Sequence, residues 1–351
     1  MTDTIQTPIT KLFGIKYPII LAGMHIAAGP KLAAAVSNAG GLGVLGAIAC
    51  RTPELLANAI DELKSYLDDP NLPFGVDMAL PKVGDGARKT NKAYHEGPLD
   101  DFIDVMIQKG VRLFVSAIGV PPKETVDKLH KAGIVVQNMV GAPKHVKKAI
   151  EVGADIICGQ GGEGGGHTGS TPTSLLIPEI VDQVKGHKSP LTGDPVLVVA
   201  AGGIHNGRGL VAALAWGASA VWVGTRFVAS EESGAPPDHK KHVLDAQWDQ
   251  TVRTLVFSGR PMRVFRSKYV DDWENNRQQE IKDLTSKGIV PWEYDMEHND
   301  NMEATGGFTR FLMGEVSARI KDVPPAKKII EDFMREANES ITRIDGFKAK
   351  L

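Results

Sequence analysis

Along the first 230 residues, short apolar runs alternate with segments whose apolar positions recur at helical spacing. The apolar runs are Ile19–Met24, Gly43–Ala49, Phe74–Leu80, Leu113–Ile118, Ile134–Met139, Asp155–Cys158, Val196–Ala201 and Ala220–Thr225. The amphipathic segments between them are Pro30–Ala39, Pro53–Leu67, Leu99–Lys109, Lys123–Ala132, Pro143–Val152, Leu176–Val184 and Gly207–Trp216. Gly40, Gly110, Gly133, Gly153 and Gly217 stand where helices should stop. Strands that are apolar on every position need cover on both faces, which a parallel sheet wrapped by helices provides. Eight such strands in this length predict an α/β chain folded as a (β/α)₈ TIM barrel. An open doubly wound sheet is the alternative, but it would carry a nucleotide fingerprint after its first strand, and AGMHIAAGP (22–30) has the wrong glycine spacing.

Past Arg226 the alternation stops. Residues 231–240 read as a turn-rich exit, and His242–Phe257, Asp272–Lys287, Thr309–Ile320 and Ala326–Ile344 read as helices around an irregular stretch at 259–274. This predicts a barrel domain over 1–230 and a helical C-terminal subdomain over 231–351, part of which packs back on the barrel.

Charge narrows the function classes. The 40 basic and 42 acidic residues leave a net charge of −2, so bulk charge gives no drive toward nucleic acid. No uninterrupted apolar stretch is long enough to predict a membrane span. Two cysteines, Cys50 and Cys158, make neither a disulfide framework nor a thiolate metal site, and no other metal-ligating cluster is expected. With no secretory signal in the first residues, the expectation is a cytoplasmic protein, or a peroxisomal one in a eukaryotic host, because Ala349-Lys350-Leu351 is close to a Ser-Lys-Leu address. The chain has 38 glycines, an excess over the usual ~7%, and they cluster beside the apolar runs.

In a (β/α)₈ barrel the chemistry sits where strands end. After the first strand come the small residues Ala22 and Gly23, then Met24, which suit a planar ligand lying on backbone. After the sixth comes GQGGEGGGHTGSTPTS (159–174), in which seven glycines surround Glu163 and His167. Such backbone is costly to order and implies a close approach to the main chain. Residues 159–164 match G-x-G-x-x-G, but no helix opens there, so a dinucleotide reading fails. His167 is then one imidazole at the barrel mouth, suited to general-base work. Gly202-Gly203 after the seventh strand and Gly224-Thr225 after the eighth occupy the usual phosphate position of this fold, where amides hold the anion without a lysine. His239 and His242 in DHKKH read as a solvated helix start, and Cys158 as a buried small hydrophobe.

Taken in order, PIILAGM (18–24), NAGGLGVLG (38–46), LPFGVDMALPKVGDGARKTN (72–91), QGGEGGGHTG (160–169), VVAAGGIHNGRGLVAALAWGASAVWVGTRF (198–227) and SGRPMRV (258–264) resemble the nitronate monooxygenase family, most closely its fungal-type class. The resemblance runs from about Lys11 to Trp273. It implies a barrel holding non-covalent FMN, and oxidation of alkyl nitronates, and in this class nitroalkanes, with O₂ to carbonyl compounds and nitrite. Propionate 3-nitronate is one such target, in keeping with a detoxifying role. By position, Ala22, Gly23 and Met24 would lie along the isoalloxazine. Gln160, Gly165 and Gly166 would line its reactive edge, and Gly202, Gly203, Gly224 and Thr225 would hold the phosphate. His167 falls on the catalytic histidine. Asp77 falls on a flavin-contact position where the bacterial class tends to have Asn, and Gln137-Asn138-Met139 lacks that class's Lys. The expected partners are the small-molecule substrate and O₂, with neither nucleic acid nor membrane, and a homodimer is compatible with all of this. The alternative is an FMN-dependent NAD(P)H:quinone or enoyl-thioester reductase on the same barrel. An inosinate-dehydrogenase-like barrel would need a catalytic cysteine where this loop offers His167.

Overall fold

The computed structural model describes residues 4–299, 302, 306–307 and 309–347. The Ala349-Lys350-Leu351 tripeptide lies outside the described residues.

Eight parallel strands form the barrel: β1 (Ile19–Leu21), β2 (Gly43–Gly46), β3 (Phe74–Ala79), β4 (Leu113–Ala117), β5 (Val135–Val140), β6 (Ile156–Gln160), β8 (Leu197–Ala201) and β9 (Ala220–Val223). The two-residue β7 (Gly166–His167) lies outside this sheet. β1 pairs with β9 in the register Ile19↔Val221 and bridges Leu42 ahead of β2, so the sheet closes on itself. Each apolar run is a strand because both its faces are buried. Along each strand, alternate positions such as Val115, Val135, Cys158 and Val199 fill the interior, while their neighbours such as Phe114, Val136 and Ile157 meet the helices. The helix Pro8–Phe13, capped by reciprocal Thr7–Thr10 hydrogen bonds, sends Ile9 and Phe13 into the interior cluster and plugs the N-terminal end.

After β9 the chain makes only the short helix Thr225–Val228. The outer layer is completed by the C-terminal helix Ala326–Asp345, whose Ile329, Ile330, Phe333 and Met334 join the main core. Its contact with the helix Gly207–Ala215 is backbone to backbone: a side chain on Gly207 would collide with Phe333 O and Ala337 N.

The segments between differ from the pattern-based expectation. The helix expected over His242–Phe257 ends at Asp245, and Thr251–Thr254 is a strand, β10. Within the stretch read as irregular, Met262–Phe265 forms β11, which pairs antiparallel with both β10 and β7. The helix expected over Thr309–Ile320 is extended chain with a 3₁₀ turn at Glu315–Arg319. The physical reason is partner-dependent: β10 and β11 exist because Val252 sits opposite Val264 and because β11 finds the edge of the glycine loop, neither of which is a local signal. His239 and His242 are not merely solvated. His239 bonds Leu312 O at 2.9 Å and His242 stacks on Phe311, so they pin this extended segment over the barrel. Cys158 is fully buried in the barrel interior. Among the described residues no helix is long and apolar enough to cross a membrane.

Candidate active site

At the C-terminal ends of the strands lies a cavity of about 1110 Å³, and it is lined by all twelve residues singled out above. Ala22, Gly23 and Met24 come from the end of β1, Asp77 from β3 and Gln160 from β6. Gly165, Gly166 and His167 come from the glycine loop, Gly202 and Gly203 from beyond β8, and Gly224 and Thr225 from beyond β9.

The glycine loop is held at many points. Gln160 Nε2 donates to His167 O at 2.8 Å and to Gly165 O at 3.2 Å. Thr168 Oγ1 donates to Gly161 O at 2.7 Å, and Arg253 and Arg263 donate to the carbonyls of Gly169 and Gly162. Glu163, also on the cavity lining, accepts the backbone N–H and the hydroxyl of Thr173 at the start of the helix Thr173–Val184.

The glycines are explained largely by the chain itself. A Cβ on Gly161 would meet Thr173, one on Gly169 would collide with Gly141 O, and one on Gly165 would lie 2.6 Å from Met313 C and 2.7 Å from Gly314 N. Gly23 is small because the Asp77 carboxyl occupies the place its side chain would take. Among the described glycines of this loop, Gly166, at φ 71° with nothing within 4 Å, is the one with open space before it. The close approach that so many glycines implied is therefore, at these positions, an approach of protein to protein. Accordingly, Gly165→Ala should lower the thermal midpoint of the ligand-free protein. The expected loss is about 1–3 kcal/mol, the usual range for overpacking. An unchanged midpoint in a thermal melt would return Gly165 to a purely ligand-facing role.

The turns after β8 and β9 present bare donors. Among the described residues the backbone N–H groups of Gly203, Gly224 and Thr225 have no hydrogen-bond acceptor. Thr225 Oγ1 accepts from Gly314 N at 2.9 Å, which leaves the hydroxyl proton to be donated. Gly203, at φ 73°, needs the conformational freedom of glycine to turn its amide into the cleft.

His167 sits on β7, opposite Met262 of β11. Its Nε2 lies 3.0 Å from Ser258 Oγ, and Nδ1 has no partner among the described residues. Burial, then the Arg260 and Arg310 guanidinium groups, push its pKa down to about 4, so the imidazole is neutral at ordinary pH. Asp77 behaves oppositely: burial pushes its carboxyl up to about 8, so it holds its proton at neutral pH, and Oδ1 is buried without a partner. Met139, from the end of β5, also lines the cavity, whereas Gln137 lies in the barrel interior with Oε1 unpaired. Ile118, beyond β4, enters the cavity from a left-handed backbone position at φ 70°, which a β-branched residue adopts only under constraint.

Sequence reasoning passed over Ser258, Arg260, Arg310 and Tyr94, which line the same cavity. The SGRPMRV stretch was visible as a motif, but its residues acquire a role only when β11 docks on β7.

A family model described as nitronate monooxygenase matches residues 6–336. A (3aS,4S,5R,7aS)-5-hydroxy-7a-methyl-1-oxo-octahydro-1H-indene-4-carboxyl-CoA dehydrogenase of Mycobacterium tuberculosis is 41% identical, over 95% of this chain and 96% of that protein. A probable nitronate monooxygenase of Staphylococcus saprophyticus is 31% identical, over 97% and 99%. Among solved structures, FabK from Thermotoga maritima superposes with a TM-score of 0.78 at 32% identity, covering 98% of this chain and 100% of that one. The nitroalkane oxidase from Streptomyces ansochromogenes superposes with a TM-score of 0.76 at 27% identity, covering 96% and 99%. With a family match running from the first helix into the last, and relatives above 30% identity aligned along almost the whole chain, this protein belongs to the nitronate monooxygenase family of oxidoreductases.

Proposed function

We propose that the chain is an FMN-dependent enzyme that oxidises alkyl nitronates, and neutral nitroalkanes after removal of their α proton, with O₂ to carbonyl compounds and nitrite. The observation that carries this reading is a neutral, open-sided imidazole, His167, in the same cavity as two turns of unpaired backbone amides.

The residues present fit the cofactor. The Gly203, Gly224 and Thr225 amides would grip the phosphate. Ala22, Gly23 and Met24 would flank the ring, with Gln160, Gly165 and Gly166 at its edge. The orphaned, protonated Asp77 carboxyl would give the ring a hydrogen bond. When bound, FMN supplies the electron acceptance and the reaction with O₂.

What the chain itself does is manage the proton and exclude water. In the tautomer with the proton on Nε2, His167 donates to Ser258 Oγ and Ser258 donates onward to Arg260 O at 3.4 Å, which leaves the Nδ1 lone pair to take the α proton. The low pKa keeps that lone pair free from neutral pH down into the acid range. A preformed nitronate has no proton to lose and bypasses this step.

The test is binding followed by turnover. FMN should bind at least about 100-fold more tightly than riboflavin, because two or three charge-assisted hydrogen bonds to the phosphate are at stake. The loaded protein should consume O₂ and release nitrite with ethyl nitronate. Equal affinity for riboflavin and FMN, or no nitrite, would reject the reading.

A second reading is a flavin-dependent reductase or dehydrogenase acting on a thioester. It is favoured by a cavity of about 1110 Å³, larger than FMN and a small nitronate need, and by the 41%-identical carboxyl-CoA dehydrogenase. Rapid anaerobic bleaching of the flavin by NADH or NADPH would select it.

A further inference from the structure

We propose that Arg260 and Arg310 form an anion-binding site at the cavity mouth, so that the substrate carries an ionised carboxylate or phosphate outward of its reacting carbon. The proposal rests on the flavin-dependent reading above and names the substrate class of that site.

Both guanidinium groups line the cavity. Arg260 is fixed by its Nε–H, which donates to Asn91 Oδ1 at 2.8 Å, and among the described residues its terminal nitrogens have no acceptor. Arg310 lies over the Trp292 ring, 5.6 Å from its centroid. Among the described residues neither pairs with a carboxylate, although other arginines of the same cavity have partners: Arg51 bonds Glu96 at 2.8 Å and Arg253 bonds Gly169 O at 2.7 Å. Arg88, a third cation on the lining, is close enough to Arg260 to disfavour its charge.

The acidic side chains of the lining cannot neutralise this charge. Glu163 is committed to Thr173, Glu293 is held by Lys92 at 2.6 Å, and the buried Asp77 carboxyl keeps its proton. Uncompensated cations facing one cleft focus a positive field into it, and planar guanidinium groups match carboxylate and phosphate oxygens in pairs. Their depth sets which part of a ligand they meet. Arg310 and Arg88 are exposed, Arg260 is half-buried, and His167 lies farther in. A substrate with its reacting carbon at His167 therefore points its other end at the arginines. The same two cations hold down the basicity of His167, so an anion seated between them would restore part of that basicity as substrate arrives.

The test uses the full-length, FMN-loaded enzyme. Propionate 3-nitronate and propyl 1-nitronate share the reacting carbon and differ in the carboxylate. Their kcat/KM values are compared in wild type, Arg260→Met, Arg310→Met and the conservative Arg260→Lys. Binding of glutarate and of coenzyme A is followed in parallel by titration of the flavin absorbance. With carboxylate as the anion, each Met variant loses at least about tenfold of the preference for propionate 3-nitronate and of glutarate affinity, with partial rescue in Arg260→Lys. With phosphate as the anion, coenzyme A binding weakens by at least about tenfold instead. Parallel loss on both nitronates, with glutarate and coenzyme A binding as in wild type, overturns the proposal. If wild type turns over neither nitronate, the nitronate reading fails, and the two titrations still decide the arginines.

Discussion

His167→Asn should lower kcat/KM for nitroethane by about 10²–10⁴-fold, the usual contribution of a positioned base, and lower that for ethyl nitronate by far less. Asn preserves a polar side chain of similar reach near Ser258 but has no lone pair basic enough to take a proton from carbon. The same assignment fixes the pH profile. With the imidazole pKa at about 4, its free-base form persists from neutral pH down to that value. The nitroethane rate should therefore hold as the pH falls through 6, where an unperturbed histidine would already be charging, and collapse only near 4. A variant that loses the same factor on both substrates, or a wild-type profile that breaks near 6.5, removes His167 from the role of base.

The second large effect concerns stability. Asp77→Asn should stabilise the flavin-free protein by roughly 2–4 kcal/mol at pH 7. Burial raises the folded-state pKa of Asp77 from 3.8 to about 8. Below 3.8 the folded and unfolded chains both hold the proton, and Asp77 contributes no pH dependence. As the pH rises from there toward 8, the unfolded chain releases the proton while the folded chain must keep it, so wild type loses stability throughout that window. Asn never ionises and is spared the loss. The stated range lies below the full linkage value because Asp77 borders a cavity that admits water. Thermal midpoints of both proteins, flavin-free, should nearly coincide at pH 4 and diverge progressively up to pH 8. A gap of constant size across that range would mean that packing, not ionisation, separates them.

The barrel was readable because its strands are apolar on every position and its helices end at glycines; those are local, repeated signals, and the observed strands fall within a few residues of the runs. The twelve cavity residues were readable for a related reason: in this fold, adjacency to a strand's C-terminal end is itself a spatial coordinate. What lay outside that logic was lost. Thr251–Thr254 has one strongly apolar side chain and becomes a strand only through its pairing with Met262–Phe265. Arg260 and Arg310 reach the cavity from irregular chain with no periodicity to place them. The glycine loop shows a mixed outcome. Its abundance of glycine marked the right place, but at Gly161, Gly165 and Gly169 the approaching group is Thr173, the Met313–Gly314 backbone and Gly141 O.

The two-residue strand that carries His167 pairs with Met262–Phe265, which in turn pairs with Thr251–Thr254, whereas the amide-bearing turns beyond Ala201 and Val223 extend from the barrel wall. On the proposed assignment, proton abstraction and cofactor retention would thus be anchored in separately hydrogen-bonded sheets. A three-stranded sheet of this size opens more readily than an eight-stranded closed one, so amide exchange at Met262–Phe265 should outrun that at Leu197–Ala201. Each such opening would leave a molecule that is still yellow and still folded through its barrel, yet momentarily unable to deprotonate carbon.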